Sequence, residues 1–346
     1  MGLYRKLTKR VDRPVNTVNL KAPPISVVMS CYNAERWLAE SIESVLLQTW
    51  PDFEFIIVDD GSTDRTSQII GNYAKMDSRI VPVSKANTEL ADSLNKGVAC
   101  ARGIWIARLD ADDLCEPERL ALQWRAASAD GNLVFVGTGS VLIDENGVRS
   151  SVYRFPPSHR QLVSHLIKGQ KFPAHSSALF RLDAFQRVGG YRPRIRRAQD
   201  CDLWLRLAEV GRLESIDPVL VRIRRHDWQI SFEDGGRRAM IDSRVAIAAC
   251  CLRKAGHPDP VDLDAEAFEE FRAWVASQLE KENLFRREAF RLELKTTATK
   301  LTFHKLFRTV KLAQSEPKLV WQLGMEQLIG SDLAHRLATK WIARHE

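Results

Sequence analysis

Trp105-Ile106-Ala107-Arg108-Leu109-Asp110-Ala111-Asp112-Asp113 is an apolar run that stops at three carboxylates within four positions. Such a run reads as a buried strand that delivers acids to the edge of a sheet. In extended chain, residues i and i+2 point the same way, so Asp110 and Asp112 aim at one point while Asp113 faces elsewhere. Like charges held together call for a cation between them. Oxygen ligands of this kind suit Mg²⁺ or Mn²⁺, completed by the phosphates of a substrate. The alternative use of these acids is to favour the start of the helix that Pro117 opens.

Outward from this stretch the chain alternates strand and helix. Ile25–Cys31, Phe53–Val58, Ile80–Val83 and Ile104–Leu109 read as strands, and residues 34–49, 66–74 and 90–101 as the helices between them. Such repeated units require right-handed crossovers and a mostly parallel sheet with helices on both faces, an α/β fold of Rossmann-like type. Ligands of such sheets sit outside the carboxyl ends of the strands, where Tyr32, Asp59 and Asp110 fall. Asp59-Asp60-Gly61-Ser62-Thr63-Asp64 supplies a turn and a helix cap. Beyond Asp113 the pattern predicts a helix over 117–129, a strand over Leu133–Ile143 and a turn at Asp144-Glu145-Asn146-Gly147, then a loop over 153–157 and a helix over 161–168. A strand-like His175–Arg181, a turn at Gly189-Gly190-Tyr191, a helix that includes Leu203, Leu207 and Val210, and a last strand over Val219–Ile223 follow.

From Arg237 onward the chain reads as an α-helical appendage, with Phe268, Phe271, Val275 and Leu279, and again Phe303, Leu306, Phe307 and Val310, at helical spacing. Arg286, Arg287, Arg291, Lys295, Lys305, Arg308 and Lys311 give it a basic face, read as solvated, with membrane docking as the alternative. Residues 1–22 read as a basic arm, so the expected division is 1–22, a catalytic domain over 23–236 and a helical region over 237–346. The formal net charge of +7 points to an anionic partner without choosing among nucleic acid, an acidic membrane and a phosphorylated substrate. The six cysteines form no C-x-x-C pair and read as buried, reduced thiols. No stretch of about 18 apolar residues and no signal-peptide core is found, so a cytoplasmic protein, in peripheral contact with the inner membrane surface at most, is expected.

No G-x-G-x-x-G follows the first strand and no P-loop occurs, which leaves acid-bearing strand ends as the signal. Ser26-Val27-Val28-Met29-Ser30-Cys31-Tyr32-Asn33, Ile57-Val58-Asp59-Asp60-Gly61-Ser62-Thr63-Asp64, Ala107-Arg108-Leu109-Asp110-Ala111-Asp112-Asp113 and Gln199-Asp200-Cys201-Asp202-Leu203-Trp204 follow one another in the chain. In these four segments the sequence resembles the family 2 glycosyltransferases, inverting enzymes with the GT-A fold. The resemblance covers roughly residues 23 to 232. It implies that Tyr32, Asp59 and Asp60 hold the nucleoside and that the family's D-x-D motif falls on Asp110 and Asp112, with Asp112 the direct ligand of Mn²⁺ or Mg²⁺ and Asp110 shared between metal and nucleotide. The family's catalytic base falls on Asp200. Spacing alone does not rank Asp200 against Asp202; the family pattern favours Asp200. His226 lies where relatives place a histidine near the diphosphate and the metal.

Two departures stand out. Gln199 precedes Asp200 where a glutamate is commoner, and loss of that charge leaves the base easier to ionise. Ser93-Leu94-Asn95-Lys96-Gly97 replaces an Ala-Arg-Asn run, so no phosphate-binding role is carried to Asn95 or Lys96. His175, Arg181 and Arg206 are read as structural, with acceptor-side or diphosphate contact as the alternative. The resemblance implies transfer from a nucleotide-sugar, a UDP-sugar above all, to a hydroxyl of a glycan or lipid-linked acceptor in cell-surface polysaccharide synthesis. No Q-x-x-R-W motif of processive synthases is present, which favours addition of one sugar or a few. The rivals are a sugar nucleotidyltransferase, which would show a Gly-rich loop where Tyr32-Asn33-Ala34-Glu35 stands, and a basic module binding nucleic acid or membrane, which leaves the acid clusters unexplained.

Overall fold

The computed structural model describes residues 22–227, 229, 234 and 236–281. By packing, the chain divides into two units: residues up to Val163 with Lys171–Asp227, and Ser164–Gln170 with the residues after 227, where the sequence reading sets its boundary at 236.

The strands of the first unit are β1 (Ile25–Cys31), β2 (Phe53–Asp59), β3 (Ile80–Ser84), β4 (Trp105–Arg108), β5 (Leu114–Cys115), β6 (Leu133–Ile143), β7 (Arg149–Tyr153), β8 (Leu179–Arg181) and β9 (Arg212–Arg224). They form one sheet in the order β3-β2-β1-β4-β8-β6-β9-β5, with β7 added to β6. The helices are α1 (Leu38–Leu46), α2 (Thr66–Met76), α3 (Leu90–Ala99), α4 (Arg119–Ala129), α5 (His159–Ile167), α6 (Leu182–Arg187), α7 (Gln199–Val210), α8 (Arg237–Lys254) and α9 (Ala265–Lys281). This is the expected mixed α/β architecture.

Every residue of β1 and β2 is buried, as strands covered on both faces must be. Their register sets Cys31 opposite Asp59, while Val28 stands opposite Arg108. Strand β4 therefore ends level with the middle of β1, so Asp110–Asp113 leaves the sheet beside the last residues of β1. Asp59 and Asp60 leave it on the other side of the same strand.

Four elements differ from the sequence reading. Helix α1 begins at Leu38, because Asn33 adopts a left-handed conformation (φ 48°) and the amides of Ala34 and Glu35 are taken by Thr66 Oγ1 (2.8 Å) and Asp64 Oδ2 (3.1 Å). His175–Ser177 is a 3₁₀ turn, and only Leu179–Arg181 continues as a strand, antiparallel to β4 and β6. Strand β9 starts at Arg212 and runs parallel to β6, with a register shift between the Ile216 and Val219 pairs. Pro218, which has no N–H to give to a ladder, sits in that shift and hides the first half of the strand from a pattern search. Strand β7 is an exposed edge whose Ser150-Ser151 centre carries no apolar alternation.

In the second unit, the Phe268, Phe271, Val275 and Leu279 face of α9 is buried as expected, and Arg272 Nε donates to the buried Asp242 carboxylate at 2.9 Å. The basic arm up to residue 21, and the expected helical positions Phe303, Leu306, Phe307 and Val310 with the basic positions from Arg286 to Lys311, lie outside the described residues.

Candidate functional site

The acids after β4 are held by residues remote in sequence. Arg108, 1% exposed, turns its guanidinium forward along the strand, bonding the carbonyl of Leu109 and Asp110 Oδ1. Asp110 Oδ2 accepts from Ser176 Oγ at 2.8 Å, and the Asp110 amide donates back to the same oxygen at 3.0 Å. Burial pushes the Asp110 carboxyl up, but the positive charge of Arg108 and the serine bond outweigh it and hold the group below the ordinary carboxylate range.

Alternation groups Asp110 with Asp112 and sets Asp113 apart, but it is Asp113 that shares a partner with Asp110, while Asp112 meets His226. The chain turns after Asp110, its carbonyl accepting from the Asp113 amide at 3.3 Å, and Asp113 is buried with Oδ1 on the Arg224 amide (2.8 Å) and Oδ2 on Ser176 Oγ. Ser176 owns one hydroxyl hydrogen and lies against a carboxylate oxygen of both Asp110 and Asp113. The proton count closes when Asp113 carries its own proton and donates to Ser176, which donates onward to Asp110. Burial, reinforced by the charges of Asp112 and Asp110, pushes Asp113 well above the ordinary range in agreement with that count.

Asp112 Oδ2 lies 2.8 Å from His226 Nε2, and the His226 ring packs on Trp37 with centroids 4.4 Å apart. Arg224 binds this corner together, with Nε on the Asp112 carbonyl (2.9 Å), Nη2 on Glu40 (2.8 Å) and its guanidinium 5.5 Å from the Trp37 ring. Ser41 Oγ holds the Ala111 carbonyl at 2.8 Å from the opposite side.

Across β1 lie the residues expected to hold a nucleoside. Tyr32 is 52% exposed at the end of β1. Asp59 is buried, and its Oδ1 accepts from the Ser62 amide at 3.0 Å. Asp60 is buried too, its Oδ1 taking Lys85 Nζ (2.5 Å) and the Thr88 amide (3.0 Å). Lys85 was not foreseen as part of this cluster. Asp64, one residue before the Arg65 that caps the helix, sets Oδ1 on the Thr66 amide at 2.9 Å and Oδ2 on the Glu35 amide.

The two acids in the first turn of α7 separate cleanly. Asp202 is buried between Arg192 and Arg206, with Arg206 Nη2 at 2.6 Å, so it is consumed as an internal counter-ion. Asp200 accepts the Cys201 amide at 2.8 Å on Oδ1, and no ion pair is found for it among the described residues. The residue before Gln199, Ala198, sits at φ 90°, an uncommon left-handed geometry for a residue with a Cβ. Burial raises the Asp200 carboxyl and the negative charge of Asp110 raises it further. Gln199 adds no charge to that field, yet the base remains harder to ionise than a free carboxyl. Arg206 also bonds the Val188 carbonyl (2.6 Å), and Arg181 bonds Asp183 and the Gly131 carbonyl, which gives both the structural roles expected of them. The Asn95 amide clamps both backbone groups of Tyr191, at 2.8 and 2.9 Å.

Among the described residues no three His, Cys, Asp or Glu gather into a metal-binding cluster. Both Asp110 oxygens are occupied by protein donors, so the pair best placed for a divalent ion is Asp112 with His226. One carboxylate and one imidazole fit an ion whose remaining positions come from a diphosphate and water. Arg108, Ser176 and Arg224 were missed as site residues; the one local sign was an arginine inside an otherwise apolar strand.

A family model, Glycosyl transferase family 2, matches residues 26–189. EpsE of Bacillus subtilis (strain 168), named as a glycosyltransferase, is 38% identical over 236 residues, 67% of this chain and 83% of that protein. The hyaluronan synthase of Pasteurella multocida is 30% identical over 219 residues, 63% of this chain but only 22% of the synthase. Among solved structures, S. aureus TarS 1–349 in complex with UDP has a TM-score of 0.53 at 17% identity, covering 92% of this chain and 91% of that one. The mannosyltransferase PcManGT from Pyrobaculum calidifontis, in complex with GDP-Man and Mn²⁺, has a TM-score of 0.51 at 18% identity, covering 91% and 88%. At such identities the structural likeness carries the fold, while the EpsE match carries the family. The chain belongs to glycosyltransferase family 2 and has its GT-A fold.

Proposed function

We propose that this chain is an inverting transferase that moves a sugar from a UDP-sugar to a hydroxyl of a glycan or lipid-linked acceptor, in the synthesis of a cell-surface polysaccharide. The observation that carries the reading is Asp200. It is a carboxylate at the start of a helix with no cationic partner recorded among the described residues, raised by burial and by the charge of Asp110. In that role Asp200 accepts the acceptor hydroxyl's proton while the new C–O bond forms and the bond from the anomeric carbon to the diphosphate breaks. Its raised affinity for a proton suits a group that must take one near neutral pH.

Asp59, Asp60 and the exposed ring of Tyr32 are the groups for the nucleoside, Asp60 being oriented by Lys85. Asp112 and His226 would hold Mn²⁺ or Mg²⁺. When bound, that ion would neutralise charge on the departing diphosphate. Asp110 stays with Arg108 and orients the loop. Among the described residues no helix is long and apolar enough to cross a membrane, and we place the reaction in the cytoplasm or at the cytoplasmic face of the membrane.

The test is a thermal-shift panel of UDP, GDP, dTDP and CMP with and without Mn²⁺. UDP with Mn²⁺ gives the largest shift, and at a hundredfold excess over Kd the linkage is about 2.7 kcal/mol, roughly 5–10 °C for a unit of this size. Asp112→Asn abolishes the metal-dependent part. A UDP shift indifferent to Mn²⁺ and to that substitution refutes the metal assignment, and no shift with any nucleotide refutes the donor.

A further inference from the structure

One polar pair, formed by the half-buried His175 and the buried Tyr191, has no part in the roles above. His175 Nε2 lies 2.7 Å from the Tyr191 hydroxyl. The next residue, Ser176, bonds Asp110 and Asp113, which ties the imidazole to the loop after β4. Its ring meets that of Trp204 nearly edge-on, with centroids 5.9 Å apart. Trp204 is four residues after Asp200 on α7, hence one turn along the same helix face. The imidazole therefore adjoins both the Asp110 loop and the helix that carries the candidate base.

Hydrogen counting fixes which ring nitrogen carries the proton. Tyr191 is buried, and the imidazole is the one partner recorded for its hydroxyl. If Nε2 held the hydrogen, the tyrosine O–H would be a buried donor without an acceptor, an expensive state. If Tyr191 donates to Nε2, the ring hydrogen moves to Nδ1, an atom not shut away from solvent in the half-buried His175. The second arrangement leaves no donor stranded. Burial, with the charge of Arg108 adding to it, lowers the imidazole to about 3, so the ring is neutral at physiological pH. His175 thus presents a single fixed N–H that cannot become an acceptor unless the Tyr191 bond is broken.

We propose that His175 is a specificity residue for the transferred sugar, its Nδ1–H donating to an acceptor oxygen on the sugar ring or its substituent. Tyr191 is the positioning residue that holds this tautomer. The inference rests on the transferase reading above, because it is that reaction which puts the sugar between the diphosphate side at Asp110–Asp112 and the base side at Asp200. It goes beyond that reading by naming the group that reads the sugar itself, and by requiring an oxygen acceptor there in place of an amine.

The test measures, by calorimetry on the full chain with Mn²⁺, how much more tightly UDP-glucose and UDP-GlcNAc bind than UDP alone. His175→Ala reduces the advantage of the preferred sugar nucleotide by about threefold to tenfold, the value of one neutral hydrogen bond, and leaves UDP affinity unchanged. His175→Asn, whose amide nitrogen falls near the Nδ1 position, restores most of it, and Tyr191→Phe falls between. A long-range ¹⁵N spectrum of the unsubstituted protein shows the Nδ1–H tautomer without titration between about pH 5 and pH 8. An unchanged sugar advantage in His175→Ala, an equal loss for UDP, or an Nε2–H tautomer overturns the inference while leaving the transferase reading in place. Absence of any nucleotide binding removes that reading, and this inference with it.

Discussion

Asp200 and Asp202 lie two residues apart in the first turn of α7, and replacing each by asparagine should move stability in opposite directions. Asp202 is the counter-ion of two guanidinium groups, Arg192 and Arg206, both nearly inaccessible. Asp202→Asn strands their charge inside the protein, and breaking a buried pair from one side costs about 3–5 kcal/mol. For a unit of this size that lowers Tm by about 6–20 °C. Asp200 has no such partner, and its folded carboxyl titrates above the ordinary value. The folded state therefore binds the Asp200 proton more tightly than the unfolded chain does. Its contribution to stability is present in acid and lost as pH rises through the folded value, so at neutral pH the ionised carboxylate destabilises. Asp200→Asn removes that penalty. Its Tm should equal or exceed that of the unsubstituted protein at pH 7, with the difference fading as pH falls through the carboxylate range, while sugar transfer stops and UDP binding persists. Thermal scans across pH, run beside a transfer assay on both variants, decide the matter. Equal destabilisation of the two variants, or unimpaired turnover in Asp200→Asn, would refute the separation of roles argued from their partners.

Arg224→Met removes the guanidinium bonds to the Asp112 carbonyl, Glu145 and Glu40 while sparing the Arg224 amide bond to Asp113. Urea denaturation should record a loss of about 1–3 kcal/mol, with a smaller Mn²⁺-dependent UDP shift; an unchanged shift would mean that the loop after β4 is held without Arg224. Gly61 has φ +74°, and an added Cβ would lie 2.8 Å from the Asn87 amide nitrogen, in the loop that brings Lys85 and Thr88 to Asp60. Gly61→Ala should therefore cost stability and UDP affinity together, whereas Gly147→Ala, at φ +81° in open space, should cost about 1 kcal/mol and leave UDP affinity alone.

The strand ends were legible because parallel strands covered on both faces must be apolar throughout, so β1, β2 and β4 announce themselves and the acids that stop them mark the sheet edge. What the sequence withheld is the partner of each acid. The alternation rule set Asp113 apart from Asp110 because it presumes extended chain, but a turn folds it onto Ser176, the partner of Asp110, sixty-three residues away. Spacing could not rank Asp200 against Asp202, since the first partner of Asp202 is Arg192, ten residues before it, although the Asp202–Arg206 pair at i, i+4 was readable in principle. The first half of strand β9 escaped because Asp217-Pro218 interrupts it, whereas Val219–Ile223 reads as a strand.

Cations sort the acids that sequence alone leaves equivalent. Lys85 is built against Asp60, Arg108 against Asp110, and Arg192 with Arg206 against Asp202. Asp113 needs no cation, because it carries its own proton, donated to Ser176 Oγ, while its other oxygen takes the Arg224 amide. Among the described residues no lysine or arginine pair is recorded for Asp59, Asp112 or Asp200, which meet an amide, an imidazole and an amide. A carboxylate held in a sheltered position without a counter-ion is unfavourable for folding, and a fold this well supplied with arginine had the means to neutralise all three. Under the proposed function each is met from outside: a hydrogen-bond donor of a nucleoside at Asp59, a divalent cation at Asp112, and the proton of an acceptor hydroxyl at Asp200.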